Sequence, residues 1–359
     1  MDISVRAFFE SQLIAAMQAY HIPVISYAVI NNFAVEYQNI LSVDDNISIS
    51  LTSLFQSASI SKMLSSIGVL KLVENGLLNL DDPANKYIKD WQIPENKFTK
   101  KNPVLVKHLL NMTSGLSISN FEGYKQNEKL PNLLELLQGK KPANNVPVEV
   151  LYEPGSKYSY SNGGFQVLQK VIEDLSSESF QDYQNKILRE LKMQNSIYEF
   201  PLSDELAVKV IPGYLNKDNQ VIDGWHNYAG LAACGMWSTP IDIATFMLNL
   251  TNSFLGKEPH FLSNQLAAEM LTRNEKTSFG LGAVISGHDN SLNFAKTGHT
   301  LGYQSFAIMF PKLGKGAVIM TNSESGDILI NYFIALVALK YSWPYYFPFF
   351  DESICLTDY

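Results

Sequence analysis

Residues 55–76 read FQSASISKMLSSIGVLKLVENG, and the rest of the sequence is organised around this stretch. Apolar side chains recur at helical spacing in it, at Ile60, Met63, Leu64, Ile67, Leu70 and Val73. Further apolar residues fill much of the opposite side, and a helix that is apolar nearly all round is a buried helix. Asn75 and Gly76 are typical of a helix C-terminus. The stretch therefore predicts a buried helix that begins at Ile60 and ends near residue 75.

The first turn of this helix carries two polar residues, Ser59 and Lys62. Residues three apart lie on the same helix face, and a lysine is rarely buried without a partner. A hydroxyl beside an amine at the start of a buried helix is typical of an activated nucleophile. The alternative is that Ser59 caps the helix and Lys62 reaches solvent. Ser-x-x-Lys occurs nowhere else in the chain, which favours the nucleophile.

Length and composition exclude several classes of protein. A chain of 359 residues suggests two domains. The net charge of −8, without a basic run, argues against nucleic acid and anionic membranes as partners. The two cysteines, Cys234 and Cys355, are too few for a disulfide framework, although a single bridge stays open. With six scattered histidines they form no metal-ligand spacing, so we expect no metal or other cofactor.

The two ends of the chain carry no membrane-spanning pattern. No apolar run reaches the ~20 residues that cross a bilayer. Residues 1–20 place charged side chains among apolar positions at helical spacing, which predicts an amphipathic helix and not a signal peptide. The chain is then either cytoplasmic or has lost a signal. We expect the aromatic tail WPYYFPFF, residues 343–350, to pack on the fold, with a partner or membrane-surface patch as the alternative.

Strand-like segments are confined to the two ends of the chain. Residues 24–30 and 33–40 flank an Asn-Asn turn and predict a hairpin. Near the other end, four more segments precede a helix over 328–340: residues 278–286, 292–297, 303–311 and 316–321. Between the two groups the pattern favours helices and loops. We therefore predict a sheet built from both chain ends with a helical insertion. The predicted domains are an α/β domain of residues 1–84 and 256–341, a helical domain of 85–255, and a tail of 342–359.

A second group of polar residues lies at 153–164, with the sequence EPGSKYSYSNGG. Tyr-x-Asn carries little information by itself, because it also occurs at Tyr37, Tyr183 and Tyr214. Tyr160 differs because it lies in a glycine-flanked turn just before a predicted helix. Such a turn can hold a side chain over a cleft. The alternative is a tyrosine that packs on a neighbour.

A third group is FAKTGHTLG, residues 294–302. Lys296 is expected at the end of a strand, and Gly298 would let another backbone or a ligand approach closely. The alternative is an edge lysine that opposes strand pairing.

Taken in order, Ser-x-x-Lys, Tyr-x-Asn and Lys-Thr-Gly resemble the penicillin-recognising serine hydrolases, most closely the class C β-lactamase and DD-peptidase branch. The resemblance covers about residues 10–340 and extends beyond these motifs, to GLLNLDDP (76–83), HLLNMTSG (108–115), PGSKYSYSN (154–162) and GMWSTPID (235–242). It implies a β-lactamase/transpeptidase-like fold, with an antiparallel sheet flanked by helices and a cleft where it meets the helical domain. It also suggests a periplasmic or secreted location. The oligomeric state stays open.

The resemblance also implies roles for individual residues. Ser59 would be the nucleophile, with Lys62 and Tyr160 as the pair that supplies the base. Asn162 would orient the substrate amide. Lys296, Thr297 and Gly298 would bind the acid end of the substrate, and the backbone N–H groups of Ser59 and His299 would form the oxyanion hole.

Simple electrostatics leaves the identity of the base open. Tyrosine titrates near 10, too high to act as a base at neutral pH. One cation about 4 Å away, at an effective dielectric of about 20, contributes about 4 kcal/mol, or roughly 3 pKa units. Two lysines could therefore make a nearby phenol a base. Alternatively Lys62 is itself the neutral base, and the sequence does not choose between the two.

Two positions bear on the substrate. Many relatives have His where Lys296 stands, and a fixed cation there favours a small-molecule or peptide substrate with a carboxylate, such as a β-lactam or a D-amino-acid peptide. His299 stands where a smaller Ser or Thr is common, and its bulk would narrow the cleft. We predict a serine hydrolase acting on β-lactam, D-amino-acid peptide or ester bonds. The alternative is a non-catalytic penicillin-binding-like scaffold.

Overall fold

The computed structural model describes residues 3–344. The α-helices of this part of the chain are α1 (Ile3–Tyr20), α2 (Ser61–Glu74), α3 (Val106–Leu110), α4 (Leu133–Gln138), α5 (Asn162–Ser176), α6 (Phe180–Glu190), α7 (Asp204–Ala207), α8 (Leu231–Cys234), α9 (Pro240–Phe254), α10 (Asn264–Met270) and α11 (Gly326–Tyr341). The strands are β1 (Val24–Asn31), β2 (Ala34–Ser42), β3 (Phe55–Gln56), β4 (Ile197–Tyr198), β5 (Tyr214–Asn216), β6 (Asn219–Gln220), β7 (Met236–Ser238), β8 (Val284–Ser286), β9 (Asn293–Thr300), β10 (Tyr303–Phe310) and β11 (Lys315–Thr321).

The main sheet combines strands from both ends of the chain. Its order is β2-β1-β11-β10-β9-β8, and every neighbouring pair is antiparallel. The early strand β1 pairs with the late strand β11 in the register Ile25↔Thr321 and Ala28↔Val318. The predicted fold class, an antiparallel sheet from both chain ends flanked by helices, is therefore confirmed.

Helices cover both faces of this sheet. Strand β1 is accordingly apolar on both of its sides. Ile25, Tyr27 and Val29 point into a core that the sheet shares with α1 and α11. The intervening residues Ala28 and Ile30 belong to the larger core on the opposite face, which includes α2, α5 and α9. Side chains alternate across a strand, so a strand buried on both faces reads as a continuous apolar run. Helix α9 packs directly on this inner face, and α2 belongs to the same core.

The middle of the chain differs in detail from the prediction. Residues 85–255 were expected to be helical, but the short strands β4, β5, β6 and β7 also lie there. Helix α9 packs against β1, β2 and β11 of the main sheet. The division into a discontinuous α/β domain and a helical domain stays a prediction.

The predicted strand over 278–286 is correct only at its end, since β8 begins at Val284. Gly282 adopts φ 90°, which lies in the left-handed region and interrupts an extended strand. The aromatic tail lies outside the described residues from residue 345 onward. Trp343, just before it, contacts Phe310, with ring centroids 5.1 Å apart. Between residues 3 and 344, none of the helices combines the length and apolar character needed to cross a membrane.

Candidate active site

Ser59 lies on a short 3₁₀ turn, Ala58–Ile60, between β3 and α2. The pairing of β3 with β7 positions the start of this turn, and Ser57 Oγ donates a hydrogen bond to Met236 O at 2.7 Å. Ala58 adopts φ 49°, in the left-handed region that non-glycine residues rarely occupy. Such local strain persists only where the surrounding structure enforces it. The turn buries the side chains of Ala58 and Ile60 and leaves Ser59 partly exposed.

The alternative in which Ser59 caps the helix and Lys62 reaches solvent is wrong. The N-cap of α2 is Ile60, and the Lys62 side chain is 0% exposed. Its Nζ lies 2.9 Å from Ser59 Oγ and donates a hydrogen bond to Ala233 O at 2.8 Å. Burial lowers the pKa of Lys62 to about 7, and no carboxylate of the described residues counteracts this effect. Lys62 therefore lies beneath Ser59 as a buried amine that loses its proton more readily than an exposed lysine.

Tyr160 closes the other side of this group. Its Oη lies 2.8 Å from Ser59 Oγ, so the serine hydroxyl bridges the phenol and the Lys62 amine. The next residue, Ser161, is the N-cap of α5 and accepts a hydrogen bond from Gly164 N at 2.9 Å. Ser161 Oγ also donates to Ser117 O at 2.8 Å. The glycine-flanked turn is thus fixed by a helix cap.

Asn162 is the first residue of α5 and lines the cleft next to Tyr160. Its Nδ2 donates to Ser119 O at 2.9 Å, which fixes the orientation of the amide. Its Oδ1 is buried and accepts no hydrogen bond from the described residues. Because buried polar atoms are nearly always hydrogen-bonded, an orphaned oxygen on a cleft wall is suited to a donor on a ligand.

Lys296 lies in the middle of β9, and its predicted position at the end of a strand is wrong. Strand β9 continues past Lys296 to Thr300 through its pairing with β10, although β8 pairs with β9 no farther than Ala295. The Lys296 side chain is 3% exposed. Its Nζ lies 5.3 Å from the ring centroid of Tyr160 and donates to Thr297 O at 3.2 Å. A second lysine therefore approaches the phenol from the sheet.

Gly298 allows the backbone of the Ser59 turn to approach β9. A Cβ at this position would collide with Ser57 O and Ser305 Oγ and would lie 3.1 Å from the Ala58 Cβ. Ser305 Oγ donates to the same Ser57 O at 3.2 Å. The predicted close backbone approach is confirmed, and the approaching segment is the turn that carries Ser59.

His299 forms a hydrogen-bonded pair with Glu324, which the motifs did not indicate. Its Nε2 lies 2.6 Å from Glu324 Oε1, and Glu324 Oε2 accepts a hydrogen bond from Gly302 N at 2.8 Å. Burial raises the pKa of Glu324, but the hydrogen bonds from His299 and Gly302 outweigh it and hold this pKa below its usual value. The imidazole is thus oriented on the cleft wall by a carboxylate from the β11–α11 connection.

These residues surround a cleft of about 500 Å³. Its lining includes every predicted site residue except Lys62, which lies below Ser59: Ser59, Tyr160, Asn162, Lys296, Thr297, Gly298 and His299. The loop between α10 and β8 also contributes to the lining, which no sequence motif indicated. Its Phe279 stacks on Tyr158, with ring centroids 5.5 Å apart.

The described part of the chain offers no other group with obvious chemistry for a cofactor. Within residues 3–344, no three His, Cys, Asp or Glu side chains come together as a metal site. Cys234 is a buried free thiol whose pKa burial raises to about 12. The arrangement is therefore one of a hydroxyl, an amine, a phenol and a second amine around a cleft.

Comparisons with known proteins identify the family. A family model described as Beta-lactamase matches residues 9–339. Protein flp of Staphylococcus aureus (strain MRSA252) is 23% identical over 331 residues, which cover 86% of this chain and 61% of that protein. The chain thus spans less than two thirds of the length of this relative.

Solved structures share the fold at low sequence identity. The octameric penicillin-binding protein homologue from Pyrococcus abyssi superposes with a TM-score of 0.75 at 23% identity, covering 95% of this chain and 78% of that one. The β-lactamase/D-alanine carboxypeptidase from Yersinia pestis gives 0.69 at 21% identity, covering 92% and 99%. With a family match over residues 9–339, this chain belongs to the Beta-lactamase family.

Proposed function

We propose that this member of a serine hydrolase family forms an acyl-enzyme through Ser59 and acts on β-lactam, D-amino-acid peptide or ester bonds. One observation carries the proposal: the buried Lys62 amine, with its pKa lowered to about 7, lies 2.9 Å from the Ser59 hydroxyl. A serine hydroxyl is a weak nucleophile until a base takes its proton. A base is most effective when its pKa lies near the operating pH, which is the case for Lys62.

Acylation then follows from the hydrogen bonds around Ser59. Lys62 Nζ accepts the hydroxyl proton while Ser59 Oγ forms a bond to the carbonyl carbon of the substrate. The carbonyl electrons move to oxygen, and the backbone N–H groups of Ser59 and His299 stabilise the resulting oxyanion. As the bond to the leaving group breaks, Tyr160 Oη gives the leaving nitrogen or oxygen a proton and recovers one from Lys62. Water repeats the sequence in deacylation.

The structure contains support for both candidate bases, but favours Lys62. The Lys62–Tyr160 pair can hold its protons in two ways, as an amine with a neutral phenol or as an ammonium with a phenolate. Both arrangements contain the same number of protons, so a titration of the pair does not distinguish the two arrangements. Lys296 Nζ lies 5.3 Å from the ring centroid of Tyr160, which supports a part for this residue in proton transfer. The complete burial of Lys62 favours the neutral amine, because an ammonium there lacks both water and a described carboxylate. We therefore assign Lys62 as the base and Tyr160 as the proton relay.

The substrate class follows from the cleft walls. Asn162 Oδ1 would accept a hydrogen bond from a substrate amide, and the buried Lys296 would bind a carboxylate. The Yersinia pestis neighbour is complexed with citrate, which carries several carboxylates. We propose that the present chain likewise binds ligands that carry carboxylates.

Mass spectrometry after incubation with a penicillin and with a fluorophosphonate tests the proposal. The wild type should gain the mass of each acyl or phosphonyl group, and Ser59→Ala should gain neither. Turnover in Ser59→Ala should fall on the order of 10⁶-fold, as for other serine nucleophiles. Ser119→Ala is a matched control, because Ser119 also lines the cleft. An adduct that persists in Ser59→Ala would place the nucleophile elsewhere. If the wild type gains no mass from either probe, the non-catalytic scaffold becomes the better interpretation.

A further inference from the structure

We propose that Arg273 and Lys276, on the loop between α10 and β8, form a second anion subsite for substrates whose leaving group carries two carboxylates. This inference rests on the proposed function, and it assigns the substrate class of the same cleft. The first carboxylate would bind Lys296. The second would reach the loop between α10 and β8, residues 271–283, which we call the rim loop.

The charges of the cleft lining point to this class. Its cations are Arg273, Lys276 and Lys296, and its carboxylate is Glu275. The whole chain, in contrast, has a net charge of −8. A cleft that concentrates charge opposite in sign to the rest of the protein focuses the field and attracts ligands of the protein's own sign. A substrate with several negative charges would be repelled by the acidic surface outside the cleft and attracted by the cations that line the cleft.

The position of the rim loop continues the cleft beyond Lys296. Phe279, at the end of the loop, has its ring centroid 5.9 Å from Lys296 Nζ. The same ring stacks on Tyr158, two residues before Tyr160. Lys276 Nζ donates to Gly155 O at 2.6 Å and so ties the loop to the segment that carries Tyr160. A leaving group held at Lys296 would therefore extend toward Lys276 and Arg273.

Both rim cations are available to a ligand. Both side chains are exposed, and no carboxylate of the described residues lies within 4.0 Å of either charged group. Arg273 Nε donates to Thr277 O at 3.2 Å, which holds the guanidinium on the loop. A guanidinium carries five donors in a planar fork that suits a carboxylate. The substrate class that fits is a peptide or ester whose leaving group resembles an acidic D-amino acid.

Two matched thioesters test this inference. Both carry the acyl group N-acetyl-D-alanyl. One leaving group is mercaptosuccinate, and the other is mercaptosuccinate with the carboxyl group farther from sulfur converted to an amide. The two have nearly equal size and differ by one negative charge. Thiol release is measured for the wild type, for the double variant Arg273→Gln/Lys276→Gln, and for Lys312→Gln. The last variant removes an exposed cation that does not line the cleft.

The wild type should prefer the dicarboxylate substrate in kcat/KM. An exposed ion pair changes an equilibrium about 1.5- to 5-fold, so two predict about 2- to 25-fold. The double variant should lose this preference, whereas Lys312→Gln should keep the wild-type ratio. Glu275→Gln should increase the preference, because it removes the negative charge from the rim. If the loop had a purely structural role, the double variant and Glu275→Gln would not shift the substrate preference in opposite directions.

A binding measurement separates this inference from the proposed function. Ser59→Ala cannot form the acyl-enzyme, so calorimetry can compare its affinity for the two thioesters without turnover. The dicarboxylate should bind more tightly by a similar factor. Equal affinities, or equal kcat/KM values in the wild type, would overturn the subsite. Absence of thiol release by the wild type would count against the proposed function alone, since the affinity ratio still decides the subsite.

Discussion

Replacing Lys62 with methionine should stabilise the protein at neutral pH while abolishing its turnover. Methionine is unbranched, apolar and similar in length, so it fills the space inside the core with little strain. The variant removes a cation that burial makes unfavourable. It also leaves Ala233 O without the hydrogen bond that Lys62 donates.

The size of the effect follows from the pKa. Burial lowers the pKa of Lys62 from 10.5 to about 7, which corresponds to about 5 kcal/mol at 1.36 kcal/mol per unit. Because the folded pKa is the lower one, this destabilisation is fully present below pH 7 and is relieved as the pH rises toward 10.5. Over that window the unfolded chain binds more protons, so the wild type should gain about 2 kcal/mol between pH 7 and pH 9. Loss of the bond to Ala233 O costs about 1–3 kcal/mol, so Lys62→Met should be more stable at pH 7 by about 2–4 kcal/mol.

Urea unfolding of the wild type and of Lys62→Met at pH 7, 8 and 9 measures both quantities. Ser59→Ala is the control, because it is equally inactive but retains the buried amine. The free energies of unfolding of the wild type and Lys62→Met should converge as the pH rises, and those of the wild type and Ser59→Ala should stay parallel. A difference between the wild type and Lys62→Met that does not change with pH would show that Lys62 does not titrate on folding. The assignment of Lys62 as a neutral base would then be wrong.

Three further predictions concern turnover. The rate of acylation by a penicillin should rise about tenfold per pH unit below pH 7 and level off above it, because neutral Lys62 is the reactive form; a flat profile from pH 5 to 9 would contradict this. Lys296→Ala should lower kcat/KM for a carboxylate-bearing β-lactam or peptide at least about tenfold, and for a p-nitrophenyl ester by less. Equal losses on both substrates would instead assign Lys296 to activation of the base. Gly298→Ala should displace the Ser59 turn, slow acylation, and cost about 1–3 kcal/mol of stability, measured by labelling and thermal unfolding. Gly164→Ala is its control, since a Cβ there meets nothing closer than 3.5 Å, and similar losses in both variants would refute the steric argument.

Local patterns in the sequence predicted the features that depend on few neighbours. The spacing of Ser59 and Lys62 on one turn of an apolar helix is enough to predict a buried amine beside a hydroxyl. The hairpin of β1 and β2 follows from two β-rich runs and their turn. The prediction of one sheet from both chain ends required only that strand-like segments occur there and share one core, whereas the pairing of β1 with β11 came from the structure.

Features that depend on tertiary contacts were not predictable in this way. Glu324 lies in the β11–α11 connection, 25 residues from His299 in sequence, and nothing in the local sequence indicates their contact. In the sequence, Arg273 and Lys276 of the rim loop look like ordinary surface cations. Their proposed part in binding follows only from the position of the loop at the same cleft as Lys296. The place of Lys296 within its strand depends on how far β9 pairs with β10, which is a property of two strands together.

The contact between the Ser59 turn and the late strands has a consequence for synthesis of the protein. Ser57 O, two residues before Ser59, accepts a hydrogen bond from Ser305 on β10 and faces Gly298 on β9. While the ribosome is still translating the middle of the chain, neither partner exists, and the apolar strand β1 lacks its neighbour β11. Contacts between residues so distant in sequence form slowly, and unpaired apolar strands aggregate. Nascent chains should therefore depend on chaperones until both strands have left the exit tunnel, and the serine should become reactive only after that point.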